Sequence, residues 1–371
     1  MIPNTNYKNL KDSYLFYHIA QKTKAYLEQH PGAYLYRMGI GDVSLPLCDA
    51  VIQALHKAVD DQAVKASFHG YMPECGDPEL RRTIAGYYKK RNADLSPEEV
   101  FISSGASDEL GDILDLFGRD KKFMIMEPAY PAYVDANIIA GNTIIHIPSG
   151  EAEGFVPQPG ERDRADVIYI CSPNNPTGAL YPKEVLEGIV EIARQHHLII
   201  FSDEIYDRLV MDGGEHISIA SLAPDLFCVT FSGLSKSHMI AGFRIGWMIL
   251  SGNKAIAQDY IEGIRMLSNM RLCSNVPAQS IVQTALGGYQ SVSNYLTPGG
   301  RIYEQRECIY QALKDIPGLS VVKPKAAFYM FPKLDVKKFH ITNDEQFALD
   351  LLRDKKILLI HGGGFHWEQP D

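Results

Sequence analysis

Several signals are missing from this chain, and each absence removes a class of protein. No long basic run occurs and the net charge is −9, so no nucleic-acid partner is expected. No apolar run approaches the ~20 residues that a membrane-spanning helix needs, so no membrane partner is expected either. The N-terminus, MIPNTNYKNLKDSYLF, lacks the basic start and apolar run of a secretory leader. Cys48, Cys75, Cys171, Cys228, Cys273 and Cys308 form no CxxC pair, and no histidine cluster has zinc spacing, so no metal is expected. Most of these cysteines lie in apolar surroundings, which suits buried free thiols in a cytoplasmic protein. There is no internal repeat and no low-complexity tract.

What is present is an ordinary globular composition, 46% hydrophobic and 22% charged over 371 residues. That length suggests two domains. From Val100 onward, short apolar runs alternate with helical patterns: Val100–Ser103, Phe123–Met126, Thr143–Ile147, Val167–Cys171, Leu198–Ser202, Phe227–Phe231 and Ile245–Leu250. The runs are unbroken rather than alternating, which argues for a mostly parallel sheet covered on both faces. The expected fold class is therefore α/β, a doubly wound sheet with a smaller α+β domain. Upstream, the patterns predict a helix from Tyr14 to Gln29, a strand from Leu35 to Ile40, and helices over 49–60 and from Pro78 to Arg91. Downstream, they predict a long helix over 253–290 broken near Asn275-Val276-Pro277, and a helix from Leu296 to Leu313. Strands Leu319–Val322 and Phe328–Pro332, a helix over 343–354 and a strand Ile357–Ile360 follow. Residues 45–290 then form the large domain, and 1–44 with 291–371 the small one.

In such sheets ligands collect at the C-terminal strand ends, and the residues with chemical character fall there. The run FCVTFSGLSKSHMIAGFRIGWMIL places Lys236 just beyond a strand, beside Ser235, with Arg244 ahead of the next strand. A buried lysine amine has a lowered pKa and forms a Schiff base with an aldehyde. An arginine fork binds a phosphate bidentately. The pair suits a carbonyl cofactor that bears a phosphate; a solvated lysine in a Ser/Gly loop is the plainer alternative. Ser104-Gly105-Ala106-Ser107 opens a helix and offers N–H groups to an anion, unless a serine merely caps the helix. In EPAYPAY, Tyr130 and Tyr133 present aromatic faces that could stack on a ring or simply pack. Pro176 keeps Asn175 out of helical geometry, so its amide can reach a phenolate or carboxylate oxygen. Asp203 follows a strand and can pair with a protonated pyridine nitrogen, or cap a helix; Tyr206 stands three residues on. Gly41 lies in a glycine-punctuated loop that lets backbone approach a small ligand.

The set S-K-x7-R-x-G, with NNPTG and DEIY upstream in that order, resembles the class I/II aminotransferases. These are fold type I enzymes that use pyridoxal 5′-phosphate. The resemblance runs from about Tyr14 to the last residue. It implies that Lys236 carries the cofactor and moves a proton at the substrate α-carbon, and that Asp203 keeps the ring nitrogen protonated. It implies that Tyr206 and Asn175 hold the ring oxygen and that Tyr130 stacks on the ring. Ala106, Ser107, Ser235 and Arg244 would hold the phosphate, together with Tyr71 of a neighbouring subunit, since GY-x4-G matches a loop that crosses a dimer interface. Asn175, Gly41 and Tyr14 match substrate-side positions. A homodimer acting on an amino acid and a 2-oxo acid is thus implied.

Within the family, NYKNLKDSYLF, RMGIGDVSLPL and AYPAYVDANIIAG look like LL-diaminopimelate aminotransferases. GLSKSHMIAGFRIGWM, MRLCSNVPAQ and TPGGRIYEQR look like bacterial alanine aminotransferases. The lysine lies in the alanine-type half, so alanine/pyruvate with glutamate/2-oxoglutarate is the expected substrate set, and LL-diaminopimelate the alternative. Two departures stand out. Gly233 occupies a position where many relatives have serine. The sequence ends at Asp371, short of the arginine that grips the substrate carboxylate in this family. Weakened carboxylate binding is the expectation, and a lyase or a non-catalytic cofactor-binding protein are the alternatives of another class.

Overall fold

The computed structural model describes residues 4–10, 15–158, 165–288 and 290–367. Tyr14 lies outside them. The N-terminal helix α1 (Leu15–Gln29) leads to a short strand β1 (Tyr36–Arg37), then to helices α2 (Asp49–Asp61) and α3 (Pro78–Lys89). Asp77 caps α3 by accepting the Leu80 N–H, and Pro78 opens its first turn, where a missing N–H is harmless. Then strands and helices alternate: β2 (Val100–Ser103), α4 (Ala106–Phe117), β3 (Lys122–Glu127), α5 (Pro131–Ala140), β4 (Thr143–Pro148), β5 (Val167–Cys171), α6 (Lys183–His196), β6 (Ile199–Asp203), β7 (Phe227–Gly233), the single turn α7 (Leu234–Ser237) and β8 (Gly246–Gly252).

These strands form one seven-stranded sheet in the order β2-β8-β7-β6-β5-β3-β4. β8 runs antiparallel to both of its neighbours, and the other pairs are parallel. The expected mostly parallel sheet is thus present. β2, β5 and β7 are buried along their whole length. Helices cover both faces, which explains the unbroken apolar runs. One cluster packs Phe117, Phe123, Phe201 and Phe231 with Ile113 and Ile264. Another packs Ile84, Tyr88, Trp247 and Ile281. A third packs Ile168, Ile189, Ile200 and Cys228.

After the sheet come α8 (Gln258–Arg271) and α9 (Val276–Gly287). The break foreseen near Asn275 is a fresh helix start, because Asn275 caps α9 by accepting the Ala278 N–H and a proline stands in its first turn. The final elements are α10 (Arg301–Lys314), β9 (Leu319–Ser320), β10 (Lys333–Leu334), α11 (Asp344–Lys355) and β11 (Ile357–Leu358). β1 pairs in parallel with β11, and β9 pairs antiparallel with β10. A separate cluster joins Leu15, Ile19 and Leu35 to Leu352, Leu358 and Phe365, so the two ends of the chain share a core.

Three expectations fail here. Phe328–Pro332 is irregular, because its approach is fastened by backbone bonds to other loops rather than to a strand. The helix expected from Leu296 begins only at Arg301, after Thr297-Pro298-Gly299-Gly300 has broken it. Cys75, Cys171 and Cys228 are buried free thiols, but Cys48 and Cys273 are partly open and Cys308 is exposed.

Candidate active site

A cavity of about 1050 Å³ opens at the C-terminal ends of the parallel strands. Its walls include Gly41, Ala106, Ser107, Tyr130, Asn175, Asp203, Tyr206, Ser235, Lys236 and Arg244. Residues widely separated in sequence therefore converge, as expected. Tyr71 is apart from them: it is 85% exposed and does not line the cavity of its own chain. Tyr14 lies outside the described residues.

Strand register explains the convergence. Cys171, Asp203 and Phe231 are Cα partners across β5, β6 and β7. The loops that follow them carry Asn175, Tyr206 and Lys236, so these side chains start from one edge. Lys236 sits in α7, and its Nζ donates to the Gly41 carbonyl at 2.7 Å. Burial lowers its pKa and the nearby Arg244 lowers it further, against the opposing charge of Asp42. More of the amine is therefore neutral than on a surface lysine.

Asp203 is buried, and burial raises its pKa. Two donors act against that rise: the Tyr133 hydroxyl at 2.6 Å and the Ile205 N–H at 3.0 Å. The Tyr133 ring stacks on Tyr169 with centroids 4.2 Å apart, which fixes the phenol. Tyr133 is thus a polar part of the site and not only a packing residue. Tyr206 and Tyr329 place their hydroxyl oxygens 2.6 Å apart. Burial pushes both phenols up, so both are neutral at ordinary pH. Tyr329 was hidden within the run misread as a strand. Neither pairing has a local sequence signature, since the partners lie in separate loops.

At the other end of the cavity, α4 begins at Ala106. Its N-cap is Gly105, with φ +117°, and no side chain caps it. The first N–H groups of the helix are therefore available to an anion. A side chain at Gly105 would run into the Arg244 guanidinium, so glycine brings that cation against the helix start. Arg244 itself has a left-handed backbone, φ +53°, a conformation that costs a non-glycine residue energy. Its Nη1 donates to the Ala241 carbonyl at 3.0 Å. The buried Asn175 Oδ1 has no hydrogen-bond partner among the described residues. Among those residues, no group of three or more His, Cys, Asp or Glu could hold a metal ion. No helix there is long and apolar enough to cross a membrane.

A half-buried lysine, a partnered aspartate and an uncapped helix start beside an arginine lie together at one end of a seven-stranded α/β sheet. The sequence profile of the family described as aminotransferase class I and II matches residues 35–370. This chain belongs to that family, whose enzymes are pyridoxal-phosphate-dependent transaminases. It is 46% identical over 309 residues to the glutamate-pyruvate aminotransferase AlaA of Escherichia coli strain K12, covering 81% of this chain and 76% of that protein. It is 37% identical over 261 residues to an LL-diaminopimelate aminotransferase of Agathobacter rectalis, covering 67% and 64%. The crystal structure of an aminotransferase from Escherichia coli superposes with a TM-score of 0.90 at 41% identity, covering 95% of this chain and 88% of that one.

Proposed function

We propose that this transaminase exchanges the amino group of L-alanine with 2-oxoglutarate, forming pyruvate and glutamate, and that the cavity around Lys236 is its active site. The observation that carries the reading is the placement of Lys236, Asp203 and Arg244 on one cavity that also holds a helix start with no side-chain cap. The similarity to a glutamate-pyruvate aminotransferase supports the substrate.

The residues fit pyridoxal phosphate. The α4 start, Ser107, Ser235 and Arg244 suit its phosphate; the glycine at position 105 leaves that cradle open. Asp203 suits its ring nitrogen, Tyr206 and Asn175 its ring oxygen, and Tyr130 its face. When bound, the cofactor supplies an aldehyde that captures amines and a ring that absorbs electrons. Lys236 Nζ, its pKa lowered by burial, takes the proton from the substrate α-carbon and later returns one. Tyr133 donates to the Asp203 carboxylate and so favours the charged form that pairs with a cationic ring, against the upward push of burial. Gly41 and Tyr14 belong to the substrate side. The same proposal assigns 45–290 to a cofactor domain and the two chain ends, which share a core, to a smaller one. It also makes the working unit a homodimer, in which the exposed Tyr71 serves the neighbouring site.

The test is the visible spectrum of the protein loaded with pyridoxal phosphate. L-Alanine should convert it to the amine form of the cofactor, and LL-diaminopimelate should not. The reverse preference would transfer the assignment to the diaminopimelate reaction. Lys236→Ala should retain loosely held cofactor and lose turnover; full activity in this variant would refute the assignment. Light scattering that finds a fully active monomer would refute the dimer.

A further inference from the structure

Tyr329 belongs to none of the sequence motifs, yet its phenol reaches the centre of the site. Its oxygen lies 2.6 Å from that of Tyr206, with the two rings at 82° and their centroids 5.6 Å apart. On another side the Tyr329 phenol covers Gly41, where an added methyl group would collide with it.

The backbone before Tyr329 is fastened to two of the motif loops. The N–H groups of Lys325 and Ala326 donate to the Gly178 carbonyl at 3.2 and 3.1 Å, and the Ala327 N–H donates to the Leu209 carbonyl at 2.8 Å. The Met211 N–H returns a bond to the Lys325 carbonyl at 2.9 Å. Gly178 ends the NNPTG motif, and Leu209 follows Tyr206 by one turn. The backbone just before Tyr329 is thus held by the same loops that carry Asn175 and Tyr206.

Each phenol carries one proton. If Tyr206 spends its proton on Tyr329, it has none to offer the cavity. If Tyr329 donates instead, the Tyr206 proton is free to point inward. A hydroxyl that accepts one hydrogen bond is also polarised into a stronger donor.

We propose that Tyr329 is a positioning residue that acts through Tyr206: it donates its proton to Tyr206 Oη and thereby aims the Tyr206 proton at the ring oxygen of the bound cofactor. This rests on the reading that the cavity holds pyridoxal phosphate. A donor at that oxygen stabilises its negative charge and weakens its hold on the proton shared with the lysine-linked nitrogen. Weakening the donor strengthens that hold. The pH at which the bound cofactor changes its visible absorption then rises.

The experiment loads the full chain with pyridoxal phosphate as wild type, Tyr329→Phe, Tyr206→Phe and the double variant. The absorption of each is titrated with pH, and cofactor dissociation is measured in parallel. Tyr329→Phe keeps the ring and loses one oxygen, so a purely packing role predicts a midpoint identical to wild type. The expected result is a midpoint moved upward, by less than in Tyr206→Phe, with the double variant no different from Tyr206→Phe alone. Cofactor dissociation should rise about two- to tenfold in Tyr329→Phe, the range for one neutral hydrogen bond. Gly41→Ala, whose methyl group displaces the same phenol, should move the midpoint in the same direction and serves as a second handle if Tyr329→Phe folds poorly. An unmoved midpoint in Tyr329→Phe, or a shift that adds in full to that of Tyr206→Phe, overturns the proposal and leaves the cofactor reading intact. A wild-type protein that takes up no pyridoxal phosphate overturns both.

Discussion

Glu109 offers a quantitative test of the helix that opens at the active site. It lies one turn into α4, is 1% exposed, and its Oε1 has no hydrogen-bond partner among the described residues. The nearest cation is Arg271, with Nη1 at 3.5 Å. That guanidinium is shared with Asp112 at 3.2 Å and Asp108 at 3.6 Å, so Glu109 receives only part of its field. Burial pushes the Glu109 carboxyl from an ordinary 4.5 up to about 7; Arg271 opposes the rise, and Asp112 and Asp108 add to it. A raised acid pKa makes folding more favourable while the group is protonated. The benefit is complete below the unfolded value and is lost as pH rises through about 7. The displacement corresponds to about 3 kcal/mol at alkaline pH, as an upper value, since a rearranging interior relieves part of it. Glu109→Gln keeps the shape without the charge, and Arg271 retains Asp112, Asp108 and the Ile102 carbonyl at 2.8 Å. The variant should therefore match wild type near pH ~4 and exceed its stability by up to about 3 kcal/mol near pH ~8.5. Denaturant unfolding of cofactor-free protein across this range measures the difference. Parallel stability curves, or a variant less stable than wild type at alkaline pH, would show that Arg271 fully compensates the ionised carboxylate and that the burial argument is wrong.

Two further outcomes follow from the geometry. Tyr133→Phe removes one of the two donors on Asp203 and pushes that carboxyl further up. Cofactor binding should weaken by about tenfold, the low end for a hydrogen bond to a charged group, and more so at lower pH; titrations at two pH values that superpose on wild type would refute it. Gly178→Ala would bring a methyl group within 2.6 Å of Pro324 Cβ and 2.8 Å of the Tyr329 carbonyl, at φ +70°. It should cost ~1–3 kcal/mol in unfolding free energy, and unchanged stability would show that the loop yields freely.

The sheet was legible because each central strand is buried on both faces. Its run is therefore apolar apart from small hydroxyl residues such as the buried Thr230, and the ends of the run fall close to the strand ends. The residues at those ends were legible because strand ends hold the chemistry in such sheets. The polar partners behind them were not. Tyr133 meets Asp203 and Tyr206 meets Tyr329 across long stretches of chain, and a tyrosine among aromatic neighbours reads as packing. Phe328–Pro332 misled for a related reason. Its unbroken apolar and aromatic run resembles a strand, but its approach bonds to Gly178 and Leu209, and the Tyr329 hydroxyl turns to Tyr206. Tyr71 follows the opposite logic: it is exposed and does not line the cavity of its own chain, and the role proposed for it requires a second copy.

Asn175, Tyr206 and Lys236 all follow their strands, whereas Arg244 precedes β8. The reversal of β8 accounts for the difference. Because β8 is antiparallel, its beginning lies at the edge where the parallel strands end. Its register pairs Gly246 with Ser103, the last residue of β2. The residues just before Gly246 and just after Ser103 therefore meet, which sets Arg244 against Gly105 at the start of α4. The approach is close enough that a Cβ at Gly246 would lie 2.6 Å from the Ala106 nitrogen. A parallel strand in this place would have carried Arg244 to the opposite edge, so a single antiparallel strand brings the arginine to the helix start and completes the end of the cavity proposed to hold the phosphate.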